Sequence, residues 1–547
     1  MMNRQGCILV VDDQEKWRKE IGETLQRDGF HVDSAFTTAE ALECIRKNLY
    51  HLLVLDIRMI DADRTNKDGL DLLEELEKRG LSEATKVMML SAYGTIEYMR
   101  TSFREYNVVD FLSKGHFDNQ EFLQEVRLAF SEKVKINLAL DIHCQQQRNG
   151  LEQAVLNLDI DGTAVEQSSD LQKRLVTELE DLLCRLFYQA KSILMRPLTG
   201  GYSGTRVLRV QPFYTTGGGG REVIVKFGDF RKIEQEYHNF KEYVQPFIGG
   251  VRTTTIFDLR RTSHLGGIIY TLLGTSTDQL IDFGEFYRRS DLLPIKDALT
   301  RLFEDTCNAW YGNRGNLQPL DLAANYQQML EYNKERFEHI VAEQLKAVEV
   351  VTSAAGKQQF IFNHLREKHP FTNPLAVIEG LSFLVSTYTC ITHGDFNHHN
   401  LLVDNAGNMW MIDFQGTGQS HILRDVAILD SAVRFQLLTE EEATLKERLQ
   451  MERALCSIDR FGQVEQLATK LPTANRALAK AYATTVHLRT VAHKLVTQNP
   501  GDDIREYYIA LLYTALYTLR FSSLSVGQRE HALLSASLLA DRLGLGG

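Results

Sequence analysis

The stretch HLLVLDI at residues 51–57 places four consecutive apolar residues directly before Asp56. Three other short apolar runs have the same character, and amphipathic helical stretches separate them. They are CILVV at 7–11, KVMMLSA at 86–92 and VVDFLSK at 108–114. Buried strands that alternate with helices predict a parallel sheet covered by helices on both faces. We therefore predict an α/β, doubly wound parallel-sheet domain over residues 1–130.

Polar side chains stand at the carboxyl ends of these predicted strands, where ligands bind to an open parallel sheet. Asp12 and Asp13 follow the first strand, Asp56 the second, Ser91 the third and Lys114 the fourth. Three carboxylates in one pocket repel each other, so a hard cation such as Mg²⁺ is their natural partner. A carboxylate beside Mg²⁺ and a lysine ammonium predicts a phosphoryl acceptor, and we assign that role to Asp56.

This set of residues resembles the receiver domain of bacterial response regulators over residues 5–130. The resemblance implies that Asp12 and Asp13 hold Mg²⁺ and that a histidine kinase or phosphorelay donor phosphorylates Asp56. The residues that would sense the phosphoryl group are Ser91, Lys114 and Phe111, which matches the aromatic that rotates inward on activation.

Two positions depart from that family, which usually has proline shortly after the acceptor and directly after the lysine. Ile60 and Gly115 occupy those places, and the loop at residues 57–68 is longer than usual. A cis bond before Gly115 would be more costly than a cis X–Pro bond, so we expect this loop to be built differently. These departures should affect the timing of the switch more than its chemistry.

The bulk composition argues against several kinds of output. A net charge of -11 without a basic cluster disfavours nucleic-acid binding, and no helix-turn-helix pattern follows residue 130, which disfavours a transcription factor. The seven cysteines include no CxxC pair, so a reducing cytosol fits better than a disulfide framework. A polar N-terminus and short apolar runs predict a cytoplasmic chain without a membrane partner.

Beyond the first domain, the sequence pattern changes twice. Residues 131–190 read as a helical connector, residues 191–290 are rich in strand patterns, and residues 291–547 are mostly helical. We therefore expect a small strand-rich region followed by a large helical one.

The strongest motif in the second part of the chain is THGDFNHHNLLVDNAGNMWMIDFQG at residues 392–416. Its segment LLVDNAGNMWMID predicts a hairpin with DNAG as the turn. Asp395 and Asn400 would then share one loop, and Asp413 would end the returning strand. Phosphoryl transfer needs a base for the acceptor hydroxyl and oxygen ligands for metal-bound phosphates. Asp395 suits the first role, and Asn400 and Asp413, as Mg²⁺ ligands, suit the second.

Two upstream features could complete a nucleotide site. The turn GGYSG offers backbone amides for phosphates, although a plain hairpin turn has the same composition. Lys226 lies in the apolar run EVIVKF, where a lone lysine is usually an edge residue; here Glu236, in preference to Glu234, could pair with it. The residues assigned to nucleotide binding are Gly200, Gly201, Ser203, Gly204, Lys226 and Glu236.

The HGD motif, together with Asp425, which lies twelve residues after Asp413, resembles the aminoglycoside phosphotransferase and choline kinase-like branch of the protein-kinase-like fold. GGYSG and HGDFNHHNLLVD are also similar to the ternary-complex-associated domains. The resemblance implies a two-lobed α+β domain that binds ATP between an N-lobe at 191–290 and a C-lobe at 291–547, with the catalytic loop at 392–414. IIYTLLG at 268–274 would be the hinge that meets adenine, or an ordinary buried strand.

The combined interpretation is a two-component signalling protein in which phosphorylation of Asp56 regulates an ATP-dependent phosphotransferase. Altered receiver packing, or homodimerisation through the receiver or connector, would carry the signal. The sequence leaves the phosphoryl acceptor open between a small molecule and a protein hydroxyl. One alternative is a non-catalytic ATP-binding scaffold whose output is a phosphorylation-dependent protein contact. A zinc site at His393, His398 and His399 is disfavoured because the HExxH spacing is missing.

Overall fold

The computed structural model describes residues 4–59, 67–92, 104, 106, 108–145, 150–167, 169–198, 204–248, 254–272, 280–365, 369–497 and 502–545. The chain divides into two compact units. The first comprises Met1–Tyr237 and Thr255–Thr271, and the second comprises His238–Thr254 and Leu272–Gly547. The finer division predicted at residues 130, 190 and 290 stays a prediction, because these units reflect compactness alone.

The first unit begins with a five-stranded parallel sheet in the order β2-β1-β3-β4-β5. Alternate residues of its strands enter two apolar cores, Leu9 and Leu53 on one face and Ile8 and Val54 on the other. This confirms the predicted doubly wound sheet. The strands are β1 (Cys7–Val11), β2 (His31–Ala35), β3 (Leu52–Leu55), β4 (Lys86–Ser91) and β5 (Asp110–Ser113). The helices described around them are Glu15–Arg27, Thr38–Lys47, Asp68–Lys78 and Asn119–Leu128.

A second sheet in the same unit has six strands in the order β12-β13-β11-β10-β9-β6. Strands β9, β10 and β11 pair antiparallel in chain order, and β13 pairs antiparallel with β11 across a connection that contains a helix and β12. The strands of this region are β6 (Asp141–Cys144), β7 (Asp159–Ile160), β8 (Thr163–Ala164), β9 (Ser192–Leu198), β10 (Arg206–Phe213), β11 (Val223–Asp229), β12 (Thr254–Arg261) and β13 (Leu265–Leu272). The helices are Gly150–Val155, Asp170–Leu186 and Phe230–Asn239.

The predicted helical connector at 131–190 contains strands as well as helices. Strand β6 extends the second sheet by pairing in parallel with β9, because its residues fill an open edge. Strands β7 and β8 form a small hairpin around Asp161 and Gly162, whose φ angles are 52° and 78°. Two consecutive positive φ angles are the backbone of a type I′ turn, which an Asp-Gly pair favours.

The helix Asp170–Leu186, called the linker helix below, touches the five-stranded domain through a buried polar contact. His51, just before β3, accepts a hydrogen bond from the Cys7 amide at Nδ1 (2.9 Å), so its Nε2 carries the proton donated to Asp181 Oδ1 at 2.7 Å. Arg185 Nε donates to the other oxygen of Asp181 at 2.7 Å. Burial alone raises the pKa of Asp181, but Arg185 and His51 outweigh it and lower that pKa below its usual range.

The linker helix also contacts the six-stranded sheet. Glu178 accepts hydrogen bonds from Thr262 Oγ1 at 2.5 Å and from the His264 amide at 2.9 Å. Leu182 and Leu186 pack over Gly267 in β13. One helix therefore packs against both sheets of the first unit.

The second unit is mainly helical. Its helices are Phe283–Arg289, Leu292–Arg301, Asn308–Gly312, Leu322–Met329, Lys334–Gln344, Pro374–Val377, Arg424–Ser431, Leu445–Leu455, Arg476–Val496, Arg505–Thr518 and Val526–Arg542. Its strands are β14 (Ile281–Asp282), β15 (Gln318–Asp321), β16 (Val348–Thr352), β17 (Gln358–Phe362), β18 (Phe371–Thr372), β19 (Leu384–Thr387), β20 (Thr389–Thr392), β21 (Leu401–Val403), β22 (Met409–Met411) and β23 (Gly418–His421). Across the described ranges, no helix has the length and apolarity that a membrane span requires.

A buried ionic network joins Arg434 to the helices Arg424–Ser431, Leu445–Leu455 and Val526–Arg542 of the second unit. Arg434 donates to Glu452 Oε2 at 2.7 Å and to Asp430 Oδ1 at 2.5 Å. His531 Nε2 and Ser535 Oγ bind Glu452 at 2.9 and 2.7 Å. Because all five side chains are buried, losing one partner would leave the others unpaired in a dry environment.

We predict that Glu452→Gln lowers the free energy of unfolding by about 3–5 kcal/mol, because Arg434 then lacks a full counter-charge. Urea denaturation of the full chain at pH 7 measures the change. Glu441→Gln, at an exposed glutamate, is the matched control and should shift it by less than about 0.5 kcal/mol.

The same network predicts a pH dependence. Burial alone would raise the pKa of Glu452. Arg434 and His531 lower that pKa by more than burial raises it, so the pKa of Glu452 lies below its ordinary value. A carboxyl of this kind stabilises the fold above its unfolded pKa, about 4.3, and loses that contribution as the pH falls. The difference between wild type and Glu452→Gln should therefore shrink at more acidic pH. An equal difference at pH 7 and at pH 3 would contradict this account.

Candidate functional site

The first candidate site is an acidic cluster at the carboxyl ends of β1 and β3. Asp12, Asp13 and Asp56 each offer a carboxylate oxygen, and these oxygens lie within 4.8 Å of one another. Asp12 and Asp56 are buried. Three converging carboxylates form the hard-oxygen donor set that a divalent cation such as Mg²⁺ prefers, so the residues present fit that ion.

Lys114 closes this cluster from β5. Its Nζ lies 2.6 Å from Asp12 Oδ2 and 2.6 Å from Asp56 Oδ2. Burial raises the pKa of Asp12 to about 6, although Lys114 opposes the shift. Burial alone would lower the pKa of Lys114, but Asp56 and Asp12 raise it above its ordinary value. The lysine therefore stays charged, and it can neutralise an incoming phosphoryl group.

The structure brings most of the predicted receiver residues to this edge. Ser91 is buried and pairs in register with Ser113, directly before Lys114. Phe111 is partly buried against the apolar core next to the site. The Lys114–Gly115 peptide bond is trans, and the Gly115 amide donates to Ser113 Oγ at 3.3 Å. Ile60 lies outside the described residues.

The second candidate site is the predicted catalytic loop, which follows β20. Strands β21 and β22 form the predicted hairpin, with Leu401 opposite Met411. Asn400 Nδ2 donates to the backbone oxygen of Asp395 at 2.9 Å and to its Oδ2 at 3.0 Å, and Asn397 Nδ2 donates to Oδ1 at 2.9 Å. Asp413 follows β22 with a left-handed φ of 71°. The loop therefore holds the Asp395 carboxylate in a fixed orientation.

Asp425 anchors this loop from the helix Arg424–Ser431. Its Oδ2 accepts from the His393 amide at 2.8 Å and from the Tyr311 hydroxyl at 3.0 Å, and its Oδ1 accepts from the Gly394 amide at 3.0 Å. Gly394 has a φ of 85°, and a Cβ there would lie 2.0 Å from the carbonyl oxygen of Gly416. Only glycine fits that position, which explains why the HGD motif has glycine between its histidine and its aspartate.

Burial and neighbouring charges shift the pKa values of two side chains at the second site, Asp395 and His393. Burial, and after it the neighbouring Asp413, raises the pKa of Asp395. Burial lowers the pKa of His393, whose Nε2 lies 3.1 Å from the backbone oxygen of Ile412. A neutral His393 wedged between Phe396 and Phe414 acts as a support for the loop. His399 Nδ1 lies 3.4 Å from Asp282, away from that support.

The predicted nucleotide residues belong to the first unit, and the structure describes part of them. Lys226 Nζ lies 2.8 Å from Glu236 Oε2, so the lysine pairs with Glu236 as predicted rather than with Glu234. Both partners are buried, and the Tyr270 hydroxyl also contacts Glu236. The carbonyl of Gly204 accepts from the Asp159 amide at 3.0 Å. Gly200, Gly201 and Ser203 lie outside the described residues, as does the end of the predicted hinge at 273–274.

Several residues that shape the second site were not predicted. Asn239 Nδ2 donates to the backbone oxygens of Phe414 and Gln415, at 3.1 and 2.7 Å. Thr254 Oγ1 donates to the backbone oxygen of Met411 at 2.6 Å. These contacts join residues more than 150 positions apart in sequence, and no local pattern reveals such pairs.

Two family models match this chain. The one described as response regulator receiver domain matches residues 8–127. The one described as ternary complex associated domain 9 matches residues 190–358 and 362–520, which is more than half of the chain. Receiver domains bind Mg²⁺ at an acidic pocket, which agrees with the carboxylate cluster of Asp12, Asp13 and Asp56.

Individual relatives match the amino-terminal part of the chain. Sporulation initiation phosphotransferase F of Bacillus subtilis is 27% identical over 127 residues, 23% of this chain and 94% of that protein. The transcriptional regulatory protein ZraR of Escherichia coli is 29% identical over 128 residues, and the match spans 27% of its length. The receiver domain of NtrX from Brucella abortus is a solved structure with 30% identity, and it covers 23% of this chain and 99% of that domain with a TM-score of 0.21.

We predict that Asp56→Asn abolishes phosphorylation of the chain by acetyl phosphate, because the amide offers no carboxylate nucleophile. Intact-protein mass spectrometry after incubation with acetyl phosphate and Mg²⁺ measures the modification. Asp71→Asn, at an exposed aspartate of the helix Asp68–Lys78, should label like wild type. Chelation of Mg²⁺ should suppress labelling of the wild type. Equal labelling of wild type and Asp56→Asn would contradict the assignment.

Proposed function

The chain belongs to the ternary complex associated domain 9 family and carries a receiver domain at residues 8–127, and from this premise we propose that the receiver regulates an ATP-dependent phosphotransferase. In this proposal, Asp56 receives a phosphoryl group from a histidine kinase or a phosphorelay donor. The second part of the chain transfers the γ-phosphoryl group of ATP to a hydroxyl acceptor. The protein-kinase-like, two-lobed fold is part of the same proposal.

One observation carries the phosphotransferase proposal. Asp395 and Asn400 are joined by two hydrogen bonds on a single loop, and the hairpin that follows leads directly to Asp413. A carboxylate base beside an amide and a second carboxylate is the group set that phosphoryl transfer requires. The buried Lys226–Glu236 pair, on strand β11 and the helix after it, adds the expected cation for nucleotide phosphates.

Each residue has a distinct role in the proposed reaction. Asp395 takes the proton of the acceptor hydroxyl as that oxygen bonds to the γ-phosphorus and the bond to the β-phosphate oxygen breaks, which leaves ADP. Asn400 and Asp413 would hold Mg²⁺, which neutralises the phosphate charge. Lys226, kept in place by Glu236, would contact the phosphates nearer the nucleoside. The raised pKa of Asp395 makes it a better proton acceptor than an ordinary aspartate.

The receiver and the six-stranded sheet share a route for regulation. His51 lies five residues before Asp56, roughly 16 Å along an extended strand, and contacts the linker helix through Asp181. The same helix packs over Gly267 in β13, the strand that pairs with β11 and Lys226. In this proposal, a phosphorylation-dependent shift of β3 would be transmitted through the linker helix to the sheet that carries the proposed nucleotide lysine.

We predict that Asp395→Asn lowers transfer from labelled ATP at least about 100-fold while ATP affinity changes little, because the variant loses only the proton acceptor. The full chain is incubated with γ-labelled ATP and Mg²⁺, and self-phosphorylation, hydrolysis and transfer to a panel of small molecules are followed. Asp297→Asn, an exposed aspartate of the helix Leu292–Arg301, is the matched control and should act like wild type.

The same assay separates the enzyme from a scaffold. A wild-type chain that binds ATP, with turnover that is equally low in wild type and in Asp395→Asn, would contradict the enzyme and favour a non-catalytic ATP-binding module. Lys226→Met should instead weaken nucleotide binding, so the two variants report on different steps.

A further inference from the structure

A second charged residue stands beside the proposed base. Arg424 begins the helix that carries Asp425, and its Nη1 lies 3.2 Å from the point that a Cβ on Gly394 would occupy. The guanidinium therefore lies close to the catalytic loop, beside the residue that precedes Asp395. The side chain is only partly exposed, so most of its surface faces protein.

The described structure leaves this guanidinium incompletely satisfied. Its buried Nε has no hydrogen-bond partner among the described residues. The adjacent Asp425 already accepts three hydrogen bonds, from His393, Gly394 and Tyr311. A buried donor without a partner destabilises the fold, and a ligand that accepts hydrogen bonds from this guanidinium would offset that cost.

Aromatic and charged side chains lie near Arg424 and Asp395. Burial raises the pKa of Tyr517, and the charge of Asp395 adds to that shift, so its ring is a neutral wall close to both charges. The guanidinium of Arg520 stacks 4.9 Å from the same ring and is fixed by the backbone oxygen of Leu330 at 3.0 Å. Arg424, in contrast, lies beside the loop with its buried Nε unpaired among the described residues.

We infer that Arg424 binds an anionic group, a carboxylate or a phosphate, on the phosphoryl acceptor and thereby presents the acceptor's hydroxyl to Asp395. This inference rests on the proposed phosphotransferase function and narrows its substrate class. Arginine is the side chain best suited to such groups, because its planar donors bind two oxygens at once. Conversely, a guanidinium at this position repels cationic acceptors such as choline or an aminoglycoside.

Binding can be measured without any phosphoryl transfer. The full chain, with Mg²⁺ and the non-transferring analogue AMP-PNP, is titrated with glycerol 3-phosphate, D-glycerate, glycerol and choline, and affinity is followed by thermal shift and calorimetry. We expect the two anionic probes to bind and choline not to bind. Arg424→Gln should weaken anion binding at least about tenfold, which is one charge-assisted hydrogen bond, and Arg424→Lys should restore part of it.

Arg453→Gln, at an exposed arginine of the helix Leu445–Leu455, is the matched control and should bind like wild type. Equal anion binding by wild type and Arg424→Gln, preferential binding of choline, or no anion binding by wild type would overturn the inference. A loss of AMP-PNP affinity alone in Arg424→Gln would also overturn it, because the partner would then be the nucleotide. Anion binding through Arg424 in a chain that never turns over ATP would overturn the phosphotransferase proposal instead.

Discussion

Two backbone amides, those of His393 and Gly394, converge on the buried carboxylate of Asp425, and the second site depends on that contact. With this contact, the backbone at Gly394 adopts a left-handed conformation that only glycine accommodates. Asp395 is the next residue, so the backbone at Gly394 determines how Asp395 is placed on the loop. Asn397 and Asn400 then hold the Asp395 carboxylate from both oxygens. The position of the proposed base is thus a consequence of backbone hydrogen bonding rather than of side-chain packing alone.

The two sites differ in the charged groups that surround their clustered carboxylates. In the receiver, a buried lysine lies 2.6 Å from two of the three acidic side chains, Asp12 and Asp56. In the second site, burial and, after it, the charge of Asp413 raise the pKa of Asp395. The first arrangement favours a carboxylate that accepts a phosphoryl group, and the second favours one that accepts a proton.

The features that could be predicted from sequence are those that local spacing determines. Asp12, Asp56 and Lys114 each follow an apolar run, and Asn400 and Asp413 flank a hairpin with a recognisable turn, so their neighbours in space follow from their neighbours in sequence. Strand β2 was missed because its residues are mostly polar, as an edge strand allows. Strand β6 and the supports Asn239 and Tyr311 were missed because their partners are distant in sequence.

The central claim is that the state of Asp56 sets the rate of phosphoryl transfer elsewhere in the same chain. The most direct measurement is the rate of transfer from γ-labelled ATP by the full chain, with and without beryllium fluoride, for wild type and for Asp56→Asn. The account predicts a change of about 5-fold or more in the wild type, the range typical of coupling between two sites, and none in the variant. A transfer rate in the wild type that is the same with and without beryllium fluoride would contradict it.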